Sequence, residues 1–577
     1  MIKVFLLPIL VLFLFSCKNN GNSQPASSTT DPFNYTIQKK VVCNNGTVAS
    51  AHPLASKIGV AILQQGGNAV DAAIATQLAL AVVYPGAGNI GGGGFMVAHL
   101  RNGNAIAIDS REKAPASATR DMYLDSLGKP VMSLSQNGHL SAGVPGTVAG
   151  LFASLKYGTL PFKQLIQPAI DLAEKGFAIT ENEAGSLNEI QDDLQKYNTT
   201  KNAFQKETKW KAGDTLIQAE LAATLKRIRD EGAKGFYEGE TAKLIVDEMK
   251  KANGIISLDD LKNYKAVERK PVMFNYKGYN IITMPLPSSG GIIIEQCLKM
   301  IEGRGIEQMG FHSVAAIQLM TEAERRAYAD RAEFMGDVDF VKVPVKTLTS
   351  ESYAKERMAD YVPGKAGSSK NVKAGVIKKE SEETTHLSIA DKWGNLVSVT
   401  TTLNNSYGSK TVVAGAGFLL NDEMDDFSVK PGVPNMYGAV GTEANAIEPG
   451  KRMLSSMSPT IVLKDNAPYM VVGTPGGTTI PTSVFQSILN VIDFGLSAED
   501  AVNKPKFHHQ WLPDVIYVEK ELPSNIIDSL KQIGYAIEVR DEIGRTELIK
   551  ISKGKTDSTF VFEAIADKRG NDAAEGY

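Results

Sequence analysis

From Ala51 to Val83 apolar residues recur every three or four positions: Ile58, Val60, Ala61 and Leu63, then Val70, Ala72, Ile74, Leu78 and Leu80. Gly66-Gly67-Asn68 separates the two runs, so the spacing predicts two packed helices with a break between them. The run Gly86-Ala87-Gly88-Asn89-Ile90-Gly91-Gly92-Gly93-Gly94 follows and leads into strand-like Phe95 to Leu100, the turn Asn102-Gly103-Asn104 and a second strand, Ala105 to Asp109. These glycines lack the Gly-Lys-Ser/Thr ending of a phosphate loop and open no helix. They predict tight backbone packing beside a strand.

The middle of the chain, from about Leu151 to Glu356, keeps a helical period: Leu160 to Lys175, Ala219 to Asp230, Glu240 to Ala252, Leu258 to Tyr264 and His312 to Glu333. Pro285, Pro287, Ser288, Ser289, Gly290 and Gly291 interrupt it before one more apolar helix. Pro363 to Glu383 is polar and lysine-rich, the composition of a solvated loop. The period then changes to two. Thr385, Leu387 and Ile389 alternate with His386, Ser388 and Ala390, Asp391-Lys392-Trp393-Gly394-Asn395 turns the chain, and Leu396 to Leu403 returns, which predicts a hairpin. Further strands are expected at Met470 to Gly473 and Val515 to Val518, with a helix at Thr482 to Ile492. Strands at both ends with helices between them indicate an α+β fold.

With 577 residues, 43% hydrophobic and 22% charged, the chain can bury a large core. A net charge of -3 gives no basic face for nucleic acid. At the N-terminus Lys3 precedes an apolar run, Val4 to Phe15, too short for a spanning helix and suited to a signal peptide. It ends Leu14-Phe15-Ser16-Cys17, similar to a bacterial lipoprotein box with Cys17 as the lipidated residue. The expected division is residues 1–16 as signal peptide and 17–40 as flexible tether. Cys43 and Cys297 are too few for a disulfide framework, and a single bridge between them stays open.

Thr384-Thr385-His386 stands where the polar loop meets the hairpin. It is either an ordinary strand start or a hidden N-terminus. Cutting after Glu383 would give Thr384 a free α-amine beside its hydroxyl, so a weak nucleophile gains its own base. An α-amine titrates near ~7.7 to 8.0, against ~10.4 for lysine, so a useful share is neutral at physiological pH. Four other patches carry chemistry. Asn421-Asp422-Glu423-Met424-Asp425-Asp426-Phe427 is densely acidic but lacks the glycine and terminal glutamate of a calcium loop. Leu454-Ser455-Ser456-Met457-Ser458-Pro459 sets hydroxyls before a strand, as a turn or a ligand contact. Gly476-Gly477 offers two amides as an oxyanion cradle or a turn. Arg111 ends a strand, placed to bind a carboxylate or to pair with Glu112.

In this order, Thr384-Thr385-His386 with its hairpin, Asn421 to Ser428, Ser455-Ser456-Met457-Ser458-Pro459-Thr460 and Phe507-His508-His509-Gln510-Trp511-Leu512-Pro513 resemble the γ-glutamyltranspeptidases, which are N-terminal-nucleophile hydrolases. The likeness runs from about Val48 to Gly576-Tyr577. It implies a four-layer αββα sandwich and self-cleavage between Glu383 and Thr384, into a large subunit (41–383) and a small one (384–577). It further implies Thr384 as nucleophile, Thr402 steadying its amine and hydroxyl, and Gly476 and Gly477 as oxyanion amides. Arg111, Ser455 and Ser456 would hold the donor's α-carboxylate, and Asn404, Glu423 and Asp426 its α-ammonium. Such a zwitterionic head calls for opposite charges on opposite sides of the site. Pro431 to Gly438 resembles a lid, with Tyr437 shielding the site.

The N-terminal segment implies export to the periplasm or cell surface of a bacterium, with the chain tied to a membrane only by the lipid on Cys17, and the resemblance implies an enzyme there. Its donors would be glutathione and other γ-glutamyl compounds, and its acceptors water, amino acids or dipeptides, with no metal or organic cofactor. His508-His509 and His386 read as structural. Two rivals stand beside this: a cephalosporin (glutaryl) acylase-like amidase, for which Asn404, Glu423 and Asp426 would lack a partner, and a lipoprotein that binds γ-glutamyl peptides without turnover.

Overall fold

The computed structural model describes residues 31–372, 384–433, 441–556 and 558–577. Cys17, Glu383 and Tyr437, and with them the signal peptide and most of the lid, lie outside the described residues.

Two seven-stranded antiparallel sheets form the centre. Their strands are β1 (Lys40–Cys43), β2 (Gly46–Ser50), β3 (Gly93–His99), β4 (Ala105–Asp109), β5 (Val267–Arg269), β6 (Val272–Tyr276) and β7 (Tyr279–Thr283). The remainder are β8 (Thr385–Asp391), β9 (Leu396–Thr402), β10 (Thr460–Lys464), β11 (Ala467–Gly473), β12 (Glu547–Lys553), β13 (Phe560–Ile565) and β14 (Ala573–Gly576). The first sheet runs β14-β2-β8-β9-β3-β4-β5, and the second β1-β13-β12-β11-β10-β7-β6. The hairpin expected after Thr384 is thus β8 and β9, at the middle of the first sheet, in the register Thr385 to Thr401 and Leu387 to Val399.

Helices α1 (Pro53–Gln64), α2 (Ala69–Val83), α3 (Phe162–Lys175) and α4 (Ala219–Glu231) build the layer over the first sheet. Asn68 caps α2 reciprocally with Asp71, which explains the break at Gly66-Gly67-Asn68. Helices α5 (Gly290–Ile301), α6 (Val314–Phe334) and α7 (Thr479–Ile492) back the second sheet. Leu387, Ile389, Val397 and Val399 of the hairpin pack toward the first helical layer. Its opposite face is polar yet buried between the sheets. Ser388 Oγ donates to the Glu547 carbonyl at 3.1 Å, and Ser398 Oγ accepts from the Thr460 N–H at 3.0 Å. This is the four-layer αββα sandwich.

The glycine run behaves as its sequence indicates. A Cβ at Gly91 would lie 2.1 Å from the Leu419 carbonyl oxygen, and one at Gly92 2.1 Å from that of Thr402. Only glycine admits so close an approach of backbone to strand. The helical reading of the middle needs correction, because β5, β6 and β7 lie within it. Toward the end of the expected tether, the Tyr35 hydroxyl donates to the Ala178 carbonyl at 2.6 Å, and Lys40 pairs in β1. Cys43 and Cys297 are both buried free thiols. Among the described residues no helix is long and apolar enough to cross a membrane.

Candidate active site

Thr384 directly precedes β8 at the sheet centre and is only 4% exposed. The pairing of Thr385 with Thr401 brings Thr402, at the end of β9, beside it. Thr402 Oγ1 accepts from the Asn404 N–H at 2.8 Å, and its carbonyl accepts from Asn89 Nδ2 at 2.8 Å. The chain leaves β9 through Asn404, whose φ of 80° lies in the left-handed region that asparagine tolerates better than most residues. Asn404 Nδ2 donates to the Asp422 carbonyl at 3.0 Å and so ties this bend to the acidic segment.

Two cavities meet at Thr384. The smaller, about 30 Å³, is lined by Thr384, Thr402, Asn404, Arg111, Glu423, Asp426, Ser455, Ser456 and Gly477. The seven residues assigned from sequence to the donor and the nucleophile, together with Thr402 and Gly477, therefore surround one space, although up to about 370 positions separate them along the chain. The larger cavity, about 290 Å³, is lined by Thr384 and Gly476. Gly476 and Gly477 have φ of 132° and 53° and sit just before α7. A Cβ at Gly476 would lie 2.4 Å from Thr479 Oγ1, so the turn excludes any larger residue.

Charges in the smaller cavity are arranged differently from the expected opposition. Arg111 is buried and paired directly with both carboxylates: Nη1 lies 2.5 Å from Glu423 Oε2, and Nη2 meets Asp426 Oδ2. A buried guanidinium needs carboxylate partners to offset its lost hydration, and a head group that carries both charges on one carbon suits adjacent charges. Glu112, the other partner considered for Arg111, is 3.8 Å away. Burial pushes its carboxyl up to about 8, and that of Asp422 likewise, while Arg111 opposes the rise at Glu112 and Lys410 at Asp422. Glu423 is raised well above the ordinary range, chiefly by burial and against the pull of Arg111.

Ser455 Oγ accepts from the Met457 N–H at 3.2 Å, and the Ser455 carbonyl accepts from the Ser289 N–H and Oγ at 2.8 and 2.7 Å. Arg331 of α6 was not picked out from sequence. Its Nε donates to Ser289 Oγ at 3.1 Å and its Nη2 to Ser456 Oγ at 3.3 Å, and it lines the same cavity. The available signal was an arginine among Ala323, Ala327, Ala329 and Ala332 on a buried helix. His386 points between the sheets, where its nitrogens meet Thr400 Oγ1 at 2.9 Å and Ser388 Oγ at 3.1 Å. His508 bonds Thr482 and Gln510, both at 2.8 Å. Among the described residues no group of three or more His, Cys, Asp or Glu side chains is arranged to hold a metal ion.

A buried threonine between an ion-paired cavity and a larger one has the layout of an acyl-transfer site. Comparison with known proteins agrees. The family model described as Gamma-glutamyltranspeptidase matches residues 55–577. The glutathione hydrolase proenzyme of Escherichia coli (strain K12) is 47% identical over 552 residues, 94% of this chain and 94% of that protein. A crystal structure of γ-glutamyltranspeptidase from Helicobacter pylori superposes with a TM-score of 0.56 at 47% identity, over 59% of this chain and 97% of that one. A cephalosporin acylase from Bacillus halodurans superposes with a TM-score of 0.81 over 95% and 98% of the two chains, at 26% identity. The acylase shares the architecture, but sequence likeness extends much further toward the glutathione hydrolases, and the chain belongs to the γ-glutamyltranspeptidase family.

Proposed function

We propose that the chain is a self-cleaving γ-glutamyltransferase and glutathione hydrolase. The observation that carries this reading is the convergence of Thr384 with Arg111, Glu423 and Asp426 on one small cavity. A γ-glutamyl donor enters with its α-carboxylate exchanging into the partnership of Arg111, Ser455 and Ser456. Its α-ammonium takes over the carboxylates of Glu423 and Asp426, with Asn404 beside them. The γ-carbonyl then lies at Thr384 with its oxygen toward the amides of Gly476 and Gly477.

Cleavage between Glu383 and Thr384 leaves a large subunit ending at residue 383 and a small one starting at 384. The freed α-amine of Thr384 takes the hydroxyl proton as the oxygen adds to the γ-carbonyl, with Thr402 steadying both groups. The C–N bond then breaks, the proton passes to the leaving amine, and a γ-glutamyl ester remains on Thr384. Water releases glutamate from that ester, and an amino acid or dipeptide amine takes the acyl group instead when present. Tyr437 would screen the ester from water. A glutaryl donor lacks the ammonium and would leave Glu423 and Asp426 without their substrate partner, which favours γ-glutamyl compounds over the amidase alternative. Residues 1–16 export the protein, and lipid on Cys17 holds it at a membrane surface of a bacterium.

The test is N-terminal sequencing and intact mass of the purified protein, with release of the aniline from a γ-glutamyl anilide. Two fragments, the smaller beginning Thr384-Thr385-His386, together with turnover, are expected. An intact chain that binds γ-glutamyl compounds without turnover overturns the enzyme reading in favour of a binding lipoprotein.

A further inference from the structure

The larger cavity takes no part in holding the donor's head, yet it shares Thr384 with the cavity that does. The paired glycines straddle the two, with Gly477 lining the small cavity and Gly476 the large one. An amide donor has an acyl half and an amine half on opposite sides of its carbonyl carbon. If the head lies in the small cavity and the carbonyl at the glycines, the amine half extends into the large one. Its walls suit a short peptide. Val83, Phe177, Leu187 and Leu216 give an apolar lining, and about 290 Å³ is near the lower end of ligand-pocket sizes.

One wall is the loop that carries Arg545. A Cβ built on Gly476 would lie 3.4 Å from the Cα of Gly544, so the residue before Arg545 packs directly on the glycine turn. Gly544 is held in the left-handed region, with φ of 66°, and a Cβ there would lie 2.6 Å from Thr474 Oγ1. Arg545 itself is half-buried, lines the cavity and donates from Nη2 to the hydroxyl of Tyr84, another lining residue. Arg569 also lines this cavity and pairs with Glu519 at 2.6 Å and Asp567 at 2.8 Å, and Glu542 brings a carboxylate to the same wall as Arg545, whose charge acts on it.

Resting on the transferase reading above, we propose that Arg545 is a specificity-determining residue that binds the terminal carboxylate of the peptide leaving group, and of carboxylate-bearing peptide acceptors, in the cavity beyond Gly476. Two extended residues span about 7 Å, the separation between a γ-glutamyl carbonyl and the far carboxylate of a dipeptide leaving group. The Arg545 guanidinium lines the same cavity as Thr384 and Gly476, and its planar fork matches a carboxylate. The Tyr84 hydroxyl, which accepts from Arg545 Nη2, orients the guanidinium within the cavity.

The experiment compares three donors on the processed enzyme: glutathione, glutathione with its glycine carboxylate converted to the amide, and a γ-glutamyl anilide without a leaving-group carboxylate. In Arg545→Ala the ratio of kcat/KM for glutathione to that for the anilide falls about tenfold, as expected for loss of one charge-assisted bond. Wild type disfavours the glycine amide by a similar factor, the Ala variant does not distinguish amide from acid, and Arg545→Lys recovers part of the preference. Ratios that stay within about twofold of wild type, or an amide penalty that persists in Arg545→Ala, overturn the assignment, since a structural role would scale all donors alike. Anilide turnover by the variant reports a folded, processed enzyme. A wild-type protein that releases no aniline overturns the transferase reading itself.

Discussion

Arg111 and Glu423 form a fully buried ion pair, Nη1 to Oε2 at 2.5 Å, within the cavity that also holds Thr384. Removing the cation would leave Glu423 and Asp426 facing each other in a site with little water. Arg111→Ala is therefore expected to destabilise the protein by about 3 to 5 kcal/mol at neutral pH, with Arg111→Lys between it and wild type. Denaturant midpoints of the three proteins check this.

If Glu423 holds the donor's ammonium as proposed, it gives the site a pH dependence whose sign follows from its burial. Its folded pKa is raised by burial, against the opposing pull of Arg111, so at acidic pH it is a neutral acid with little attraction for an ammonium. Donor kcat/KM is expected to climb as the pH passes upward through that value. Glu423→Gln should lose this limb and show a donor KM about tenfold above wild type on the alkaline side. A pH–rate profile of the two proteins on a γ-glutamyl anilide decides it, and identical profiles would remove Glu423 from ammonium binding.

Thr384→Ala should remain a full-length chain, with anilide turnover lower by at least about a thousandfold. Thr384→Ser keeps a hydroxyl and should cut and turn over more slowly. Intact mass reads the first effect, and a normally processed, active Thr384→Ala protein would end the nucleophile assignment.

Gly476→Ala places a methyl 2.4 Å from Thr479 Oγ1 at a φ of 132° that alanine avoids. The turn must then shift, and with it the amides proposed to face the developing oxyanion. A drop of about a hundredfold in kcat with a smaller change in KM is the expected outcome. Steady-state kinetics tests it, and a variant with wild-type kcat would show that the turn does not stabilise the transition state.

Burial holds His386 neutral, its pKa pushed down to about 3. The unfolded chain takes up this proton near 6.5 and the folded one only near 3, so the stability involved is full above 6.5 and lost as pH falls through that window. In His386→Gln the amide can still bond Thr400 and Ser388 but cannot be charged. Between pH 7 and 5 wild type should lose about 2 kcal/mol more than the variant, measured by chemical denaturation at each pH.

Much of this molecule is legible locally. The change from helical period to alternation at Thr385 locates the central hairpin, and Gly91 to Gly94 mark where backbone meets backbone. Two hairpins escaped because they turn on only two residues: Lys277-Gly278, with φ of 48° and 84°, joins β6 to β7, and Asp465-Asn466, with φ of 51° and 61°, joins β10 to β11. Both are tight turns of positive φ; the first lies within the stretch of helical period, and at the second only the return strand, Met470 to Gly473, was legible. Arg331 was hidden for another reason. Its role depends on α6 passing Ser289 and Ser456, a meeting of distant segments that no local pattern encodes. The same holds for Arg111, whose nearest residue in sequence, Glu112, proved a weaker partner than Glu423, more than three hundred positions away.

Strand order has a consequence for the proposed cut before Thr384. In the first sheet β14 is followed by β2, then β8 and β9, then β3, β4 and β5, so segments from before and after residue 384 interleave. In the second, β1 at one edge and β7 and β6 at the other enclose β13, β12, β11 and β10. Neither fragment owns a complete sheet. Severing the backbone thus frees a terminus without freeing a piece, since separation would require unzipping both sheets along several seams at once. Once the two polypeptides are fully unravelled, regaining the native state becomes an encounter between molecules, slower in dilute solution. If the chain is cut before Thr384 as proposed, its uncut halves share one tether and fold as a single body, so assembly is expected to precede scission.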